Sequence, residues 1–71
     1  MVATPAYGRT YKTARAAKAD FLAGKDFIIT DADDKFGRYF GQPFSIRDMD
    51  PGERVEIRFG KHFEKCTTVT V

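Results

Sequence analysis

A thiol and an imidazole lie close together in the sequence, as His62 and Cys66 with three residues between them. Such a pair makes an activated nucleophile when the two groups touch and a third group orients the imidazole. On a hairpin they could share one face, but Gln42 is the only side-chain amide available as the third group. The favoured reading is a structural Cys and a loop His, with a small Cys/His enzyme as the remote alternative. The aspartates fare no better. Asp31-x-Asp33 opens like a calcium loop, which needs an oxygen ligand fifth, Gly sixth and Glu twelfth; those positions hold Lys35, Phe36 and Gln42. Gly37 and Gly41 lack the Lys-Ser/Thr of a phosphate cradle. Glu53 and Glu56 fall on opposite pleats of one strand and do not converge. No metal, no cofactor and no catalytic set is expected, and the chain is read as a non-enzyme.

Two groups of residues suit binding instead. Arg9, Lys12, Arg15 and Lys18, interleaved with Tyr7 and Tyr11, combine phosphate contact with base stacking. Arg54 and Arg58 share the outward face of a strand, with Glu56 between them. These six bases define a nucleic-acid alternative. The second group is the segment 36–44, with four aromatics in nine residues. There Phe36, Arg38, Tyr39, Phe40 and Phe44 are the candidate contacts for a protein partner, because aromatics and Arg are common interface anchors. The competing reading folds these rings over a sheet edge as core.

The elements that must hold these groups follow from periodicity. Residues 1–9 have Pro5 and Gly8 and no repeat, and read as a flexible arm. Thr10 or Thr13 caps a helix through residues 14–23, which Gly24 ends. Ala14, Ala17, Phe21 and Leu22 form its apolar stripe. Residues 27–30 read as a strand, and 36–40 as a short edge-like one. Ser45-x-x-Asp48 is a capping signal for one helical turn near 45–49. Residues 53–59 alternate polar and apolar, and 65–71 are β-branched, so the two form an antiparallel hairpin. The expectation is an α+β domain over 10–71: one N-terminal helix on a small, mostly antiparallel three-stranded sheet. Its core would be Phe21, Leu22, Phe27, Ile29, Tyr39, Ile46, Val55, Ile57, Phe59 and Val69. The open edge of the last strand allows a homodimer.

Length and charge set the bounds. Seventy-one residues make one small domain, and one Cys cannot form an internal disulfide. The net charge of +2 is unevenly spread. Residues 1–25 hold five bases against one acid, residues 26–50 three against six, and residues 51–71 four against three. A basic end steers toward acidic surfaces. No apolar run approaches a membrane span, so no membrane partner is expected. The acid-poor start superficially looks like a transit peptide, but the residues that follow complete a capped helix. A free Cys and no secretory signal point to a reducing cytosol.

The stretch KTARAAKADFLAGKDF, followed by GRY, SIRD, PGERVEIRF and a closing TVTV, resembles small uncharacterised accessory proteins of tailed bacteriophages, over about residues 10–71. The resemblance implies a short protein made in an infected bacterium, in the host cytosol. It further implies that the chain binds and modulates a host machine such as RNA polymerase, a nuclease or a defence complex. It assigns no functional residues.

Overall fold

The computed structural model describes residues 1–30 and 41–71. The chain runs β1 (Val2–Pro5), α1 (Ala14–Leu22), β2 (Phe27–Ile29), β3 (Pro43–Phe44), a 3-10 turn (Ile46–Asp48), β4 (Arg54–Phe59) and β5 (Lys65–Thr70). The strands form one five-stranded sheet in the order β3-β2-β1-β4-β5. The α+β class with one helix stands; the three-stranded antiparallel sheet does not. The expected strand over 36–40, and Tyr39 as a core residue, lie outside the described residues.

The largest correction concerns residues 1–9. Far from being a flexible arm, they supply the central strand. β1 pairs antiparallel with β2, through Ala3 to Ile29 and Pro5 to Phe27. It pairs parallel with β4, through Val2 to Glu56 and Ala3 to Ile57. Ala3 is fully buried. It belongs to one core cluster with Ala17 of the helix. Pro5 occupies the last position of the strand, where its missing N–H costs the ladder least.

Helix α1 forms because residues 14–23 carry good helix formers and both ends are closed. The Thr13 hydroxyl accepts the N–H of Ala16 at 3.2 Å, a side-chain N-cap. At the other end Gly24 N–H donates to Phe21 O and Lys25 N–H to Asp20 O. This is a Schellman closure, with Gly24 at φ +94° supplying the left-handed residue. The helix buries Ala17 and Phe21. Leu22, expected in the core, is 54% exposed. At roughly 100° per residue it lies about 140° round the helix from Ala17 and about 100° from Phe21, the two residues the helix buries.

The hairpin β4–β5 follows the sequence pattern. Val55 faces Val69, Ile57 faces Thr67 and Phe59 faces Lys65. Val55, Ile57, Phe59 and Val69 are buried on the face covered by α1. Phe21 meets Phe27 edge-on at 5.5 Å and stacks on Phe44 at 6.3 Å. Met49 completes the cluster, and Ile46 packs partly against it. The opposite face of the sheet carries Arg54, Glu56 and Arg58, paired across the two strands with Thr70, Thr68 and Cys66. The Asp48 carboxylate accepts the Ser45 N–H at 2.9 Å, closing the expected helical turn.

After β1 the chain turns tightly. Arg9 N–H donates to Ala6 O at 3.2 Å, and the two central residues, Tyr7 and Gly8, have φ of 59° and 76°. Two consecutive positive φ values define a type I′ turn, whose first position favours Asn, Asp or Gly. Tyr7 is instead 76% exposed and carries the steric cost of a left-handed L-residue. Tyr7→Asn should therefore raise stability by about 0.5–1 kcal/mol, read as a higher urea midpoint with unchanged slope.

Candidate binding surface

The bases expected to act together are separated by the fold. Arg9 turns inward. Its Nε donates to Ala6 O at 3.1 Å, its Nη1 to the Tyr11 hydroxyl at 2.8 Å, and its Nη2 to Asp26 O. The guanidinium carbon sits 5.1 Å from the Phe27 ring centre and 6.0 Å from that of Tyr11. Tyr11 in turn stacks on Phe27 at 6.0 Å and donates its hydroxyl to Asp20 at 2.8 Å. Arg9 is thus a clamp tying the turn after β1 to the start of β2, and it covers an aromatic core residue. Each of its three nitrogens is engaged within the fold, so Arg9 is withdrawn from the nucleic-acid set.

The rest of that set divides between two sides. Lys12 and Arg15 are exposed and Lys18 half-buried, all at or on α1. Arg54 is exposed and Arg58 half-buried, on the sheet face away from the helix. Lys12, Arg15 and Lys18 are therefore separated from Arg54 and Arg58 by the thickness of the sheet.

The aromatic segment is also divided. Phe44 is fully buried, paired with Phe27 in the ladder, and so serves the core rather than a surface contact. A two-residue edge strand needs a large side chain to anchor it, and Phe44 fills that role. Phe36, Arg38, Tyr39 and Phe40 lie outside the described residues, as do Asp31, Asp33 and Gly37.

Cys66 is exposed on β5, opposite Arg58. His62 is exposed in the turn before it, where its backbone N–H donates to the Glu64 carboxylate at 3.0 Å. Among the described residues no hydrogen bond joins His62 to Cys66, and no three His, Cys, Asp or Glu side chains gather as a metal set.

The titratable groups with displaced pKa values do structural work. Burial, then the hydrogen bond to Asp20, raises the Tyr11 hydroxyl above its ordinary 10.0. Backbone N–H donation, from Glu64 itself and from His62, lowers the Glu64 carboxyl below 4.5. That carboxylate occupies the space over Gly60, where an added Cβ would meet it at 2.6 Å. A depressed carboxyl contributes stability above its unfolded pKa and loses it as pH falls through the folded value. Wild type should therefore lose melting temperature below pH 4.5 more steeply than Glu64→Gln, and thermal melts across that range would show the difference.

The sequence placed Tyr7 among the bases as a stacking group and Leu22 in the core; the fold leaves both exposed. Tyr7 and Leu22 are the most exposed large apolar side chains among the described residues. The turn at Tyr7-Gly8 and the helix end at Leu22 both abut the Asp20–Asp26 corner: the Tyr7 hydroxyl lies 3.5 Å from the Asp26 carboxylate, and the Schellman closure folds Lys25 back toward Asp20. On the opposite sheet face, an open depression of about 460 Å³ is lined by Met1, Val2, Arg54, Val55, Glu56 and Thr68.

No helix among the described residues is long and apolar enough to cross a membrane. Comparison of the chain with protein-family models, with curated proteins and with solved structures finds no match.

Proposed function

We propose that the chain is a small non-enzymatic accessory protein of the phage type, which binds a host protein in a bacterial cytosol and modulates it. The observation that supports this most is the strained display of Tyr7. An aromatic ring is held outward on a left-handed backbone, where a small polar residue would be more stable. Strain retained in an exposed side chain is a mark of selection for something other than stability. Leu22 and the exposed bases of α1 extend the surface, and together they suit a partner with an apolar pocket rimmed by acids. Phe36, Arg38, Tyr39 and Phe40 belong to the proposed surface on composition; Phe44 does not.

The nucleic-acid alternative has less support, since Arg9 is engaged within the fold and the remaining bases lie on two sides. The Cys/His alternative has less still, because both side chains are exposed and no hydrogen bond joins them.

The test is capture from bacterial lysate by the tagged full chain. Wild type should retain one host protein at equal stoichiometry. Tyr7→Asn/Leu22→Ser should lose it while melting no lower than Leu22→Ser alone, and Tyr39→Ala/Phe40→Ala should lose it as well. Absence of any stoichiometric partner, or undiminished capture by both double variants, would contradict the proposal.

A further inference from the structure

The two edges of the sheet differ sharply. β3 is two residues long and starts with Pro43, which has no N–H to offer, so that edge is closed to extension. β5 is six residues long, unbroken in register against β4 from Lys65 to Thr70, without Pro or bulge. Among the described residues no strand pairs with its outer side. It carries one charge, Lys65, at its first position. None of the usual protections of an edge is present apart from that lysine.

We infer that the outer edge of β5 pairs antiparallel with the same edge of a second copy, making a continuous ten-stranded sheet about a two-fold axis. The pairing is self-complementary by parity. On an edge strand the outward N–H and C=O groups recur at every second residue. Two copies present the same alternate residues, so paired residue numbers must sum to an even number, and the axis passes through one residue facing itself. Axes at Thr67 and at Thr68 pair equal lengths of β5, and the axis at Thr68 sets the two Lys65 side chains farther apart, six positions rather than four. Thr68 faces Thr68, Thr67 faces Val69 of the second copy, Cys66 faces Thr70 and Lys65 faces Val71.

That register matches the side chains. Thr–Thr and Thr–Val are favourable cross-strand neighbours. Val71, 40% exposed in the single chain, gains the aliphatic stem of Lys65. The two Lys65 residues stand six positions apart along the strand, about 20 Å at 3.4 Å per residue, so the only charge on the edge meets no like charge. An unrelated extended peptide would use the same hydrogen bonds, but only a second copy brings this distribution of charge with it.

The register makes a residue-specific prediction. Thr68 is exposed and faces itself only in the dimer. Thr68→Lys faces Glu56 within its own chain, so it is tolerated by the monomer, and it puts like charges face to face in the dimer, weakening self-association about fivefold. Thr68→Glu does the same between copies and also opposes Glu56, lowering the monomer's stability by about 0.2–1 kcal/mol. Mixing the two variants restores it as a heterodimer. In a Cys66→Ser background, Thr68→Cys should form an intermolecular disulfide under mild oxidation, since directly opposed Cα atoms lie about 4.5–5.5 Å apart. Thr70→Cys in the same background, offset along the strand, should not. The readouts are sedimentation velocity across a concentration series and non-reducing electrophoresis. A wild-type chain that stays monomeric at the highest concentration overturns the inference. So does a dimer indifferent to charge at position 68, or a disulfide that forms faster through residue 70 than through residue 68.

Discussion

Removal of residues 1–5 is expected to abolish the folded state, giving a chain without a cooperative thermal transition in circular dichroism. The reason is topological. Among the described residues β1 is the only strand joining β2 to β4, so without it the sheet falls into a β3–β2 pair and a β4–β5 hairpin. The cut removes the acceptors of two direct bonds at 2.9 Å, Thr30 N–H to Val2 O and Glu56 N–H to Met1 O. It also removes the remaining ladders to Ile28, Ile29 and Ile57 and the buried Ala3 and Pro5. A chain of this size has about 4–11 kcal/mol of stability at 0.05–0.15 kcal/mol per residue. Several backbone bonds at about 1 kcal/mol each, with donors and acceptors of two interior strands left bare, exceed the lower half of that range. Two-stranded fragments do not persist alone in water. A flexible arm would predict the reverse, an unchanged melt.

Arg9→Ala should cost about 2–4 kcal/mol, because it removes charge-assisted bonds to two carbonyls and uncovers the Phe27 ring. Arg9→Lys should recover less than half of this. A lysine has no planar fork to reach Ala6 O, Asp26 O and the Tyr11 hydroxyl together. Arg15→Ala, on the exposed helix surface, should change stability by no more than about 0.5 kcal/mol. Urea unfolding of the three variants distinguishes Arg9 as a structural clamp from Arg9 as one more surface base. Equal, small effects at both positions would contradict the clamp.

The sequence was most readable where one residue type answers one physical demand. Thr13 and Gly24 bound the helix because only a side-chain acceptor and a left-handed residue close those ends. The alternation of Val55, Ile57 and Phe59 against polar neighbours fixed the hairpin and its buried face. Ser45 and Asp48 marked a turn that forms where they stand. β1 was unreadable for a physical reason. The partners that make it a strand, Ile29 and Ile57, stand far along the chain from Ala3, and Ala3 and Pro5 look like loop when local propensity is the only guide. β3 is too short to show any period.

The candidate surface was only partly legible, for a related reason. Charge and aromaticity are visible along a chain, but whether a side chain turns inward depends on contacts far apart in sequence. Arg9 reads as a surface base until Asp26, seventeen residues on, takes its guanidinium. Phe44 reads as an anchor until Phe21 stacks on it and Phe27 pairs with it in the ladder. Leu22 comes into view as exposed only once the helix end is placed.

The account depends on the first nine residues being the centre of the fold, with the binding surface formed by what they leave outward. Amide hydrogen exchange on the intact chain, resolved residue by residue by NMR, tests this most directly. The amides of Thr30 and Glu56, which bond to Val2 and Met1, should exchange only through global unfolding, as slowly as those within the β4–β5 ladder. Exchange of these two amides at random-coil rates, with the hairpin still protected, would contradict it.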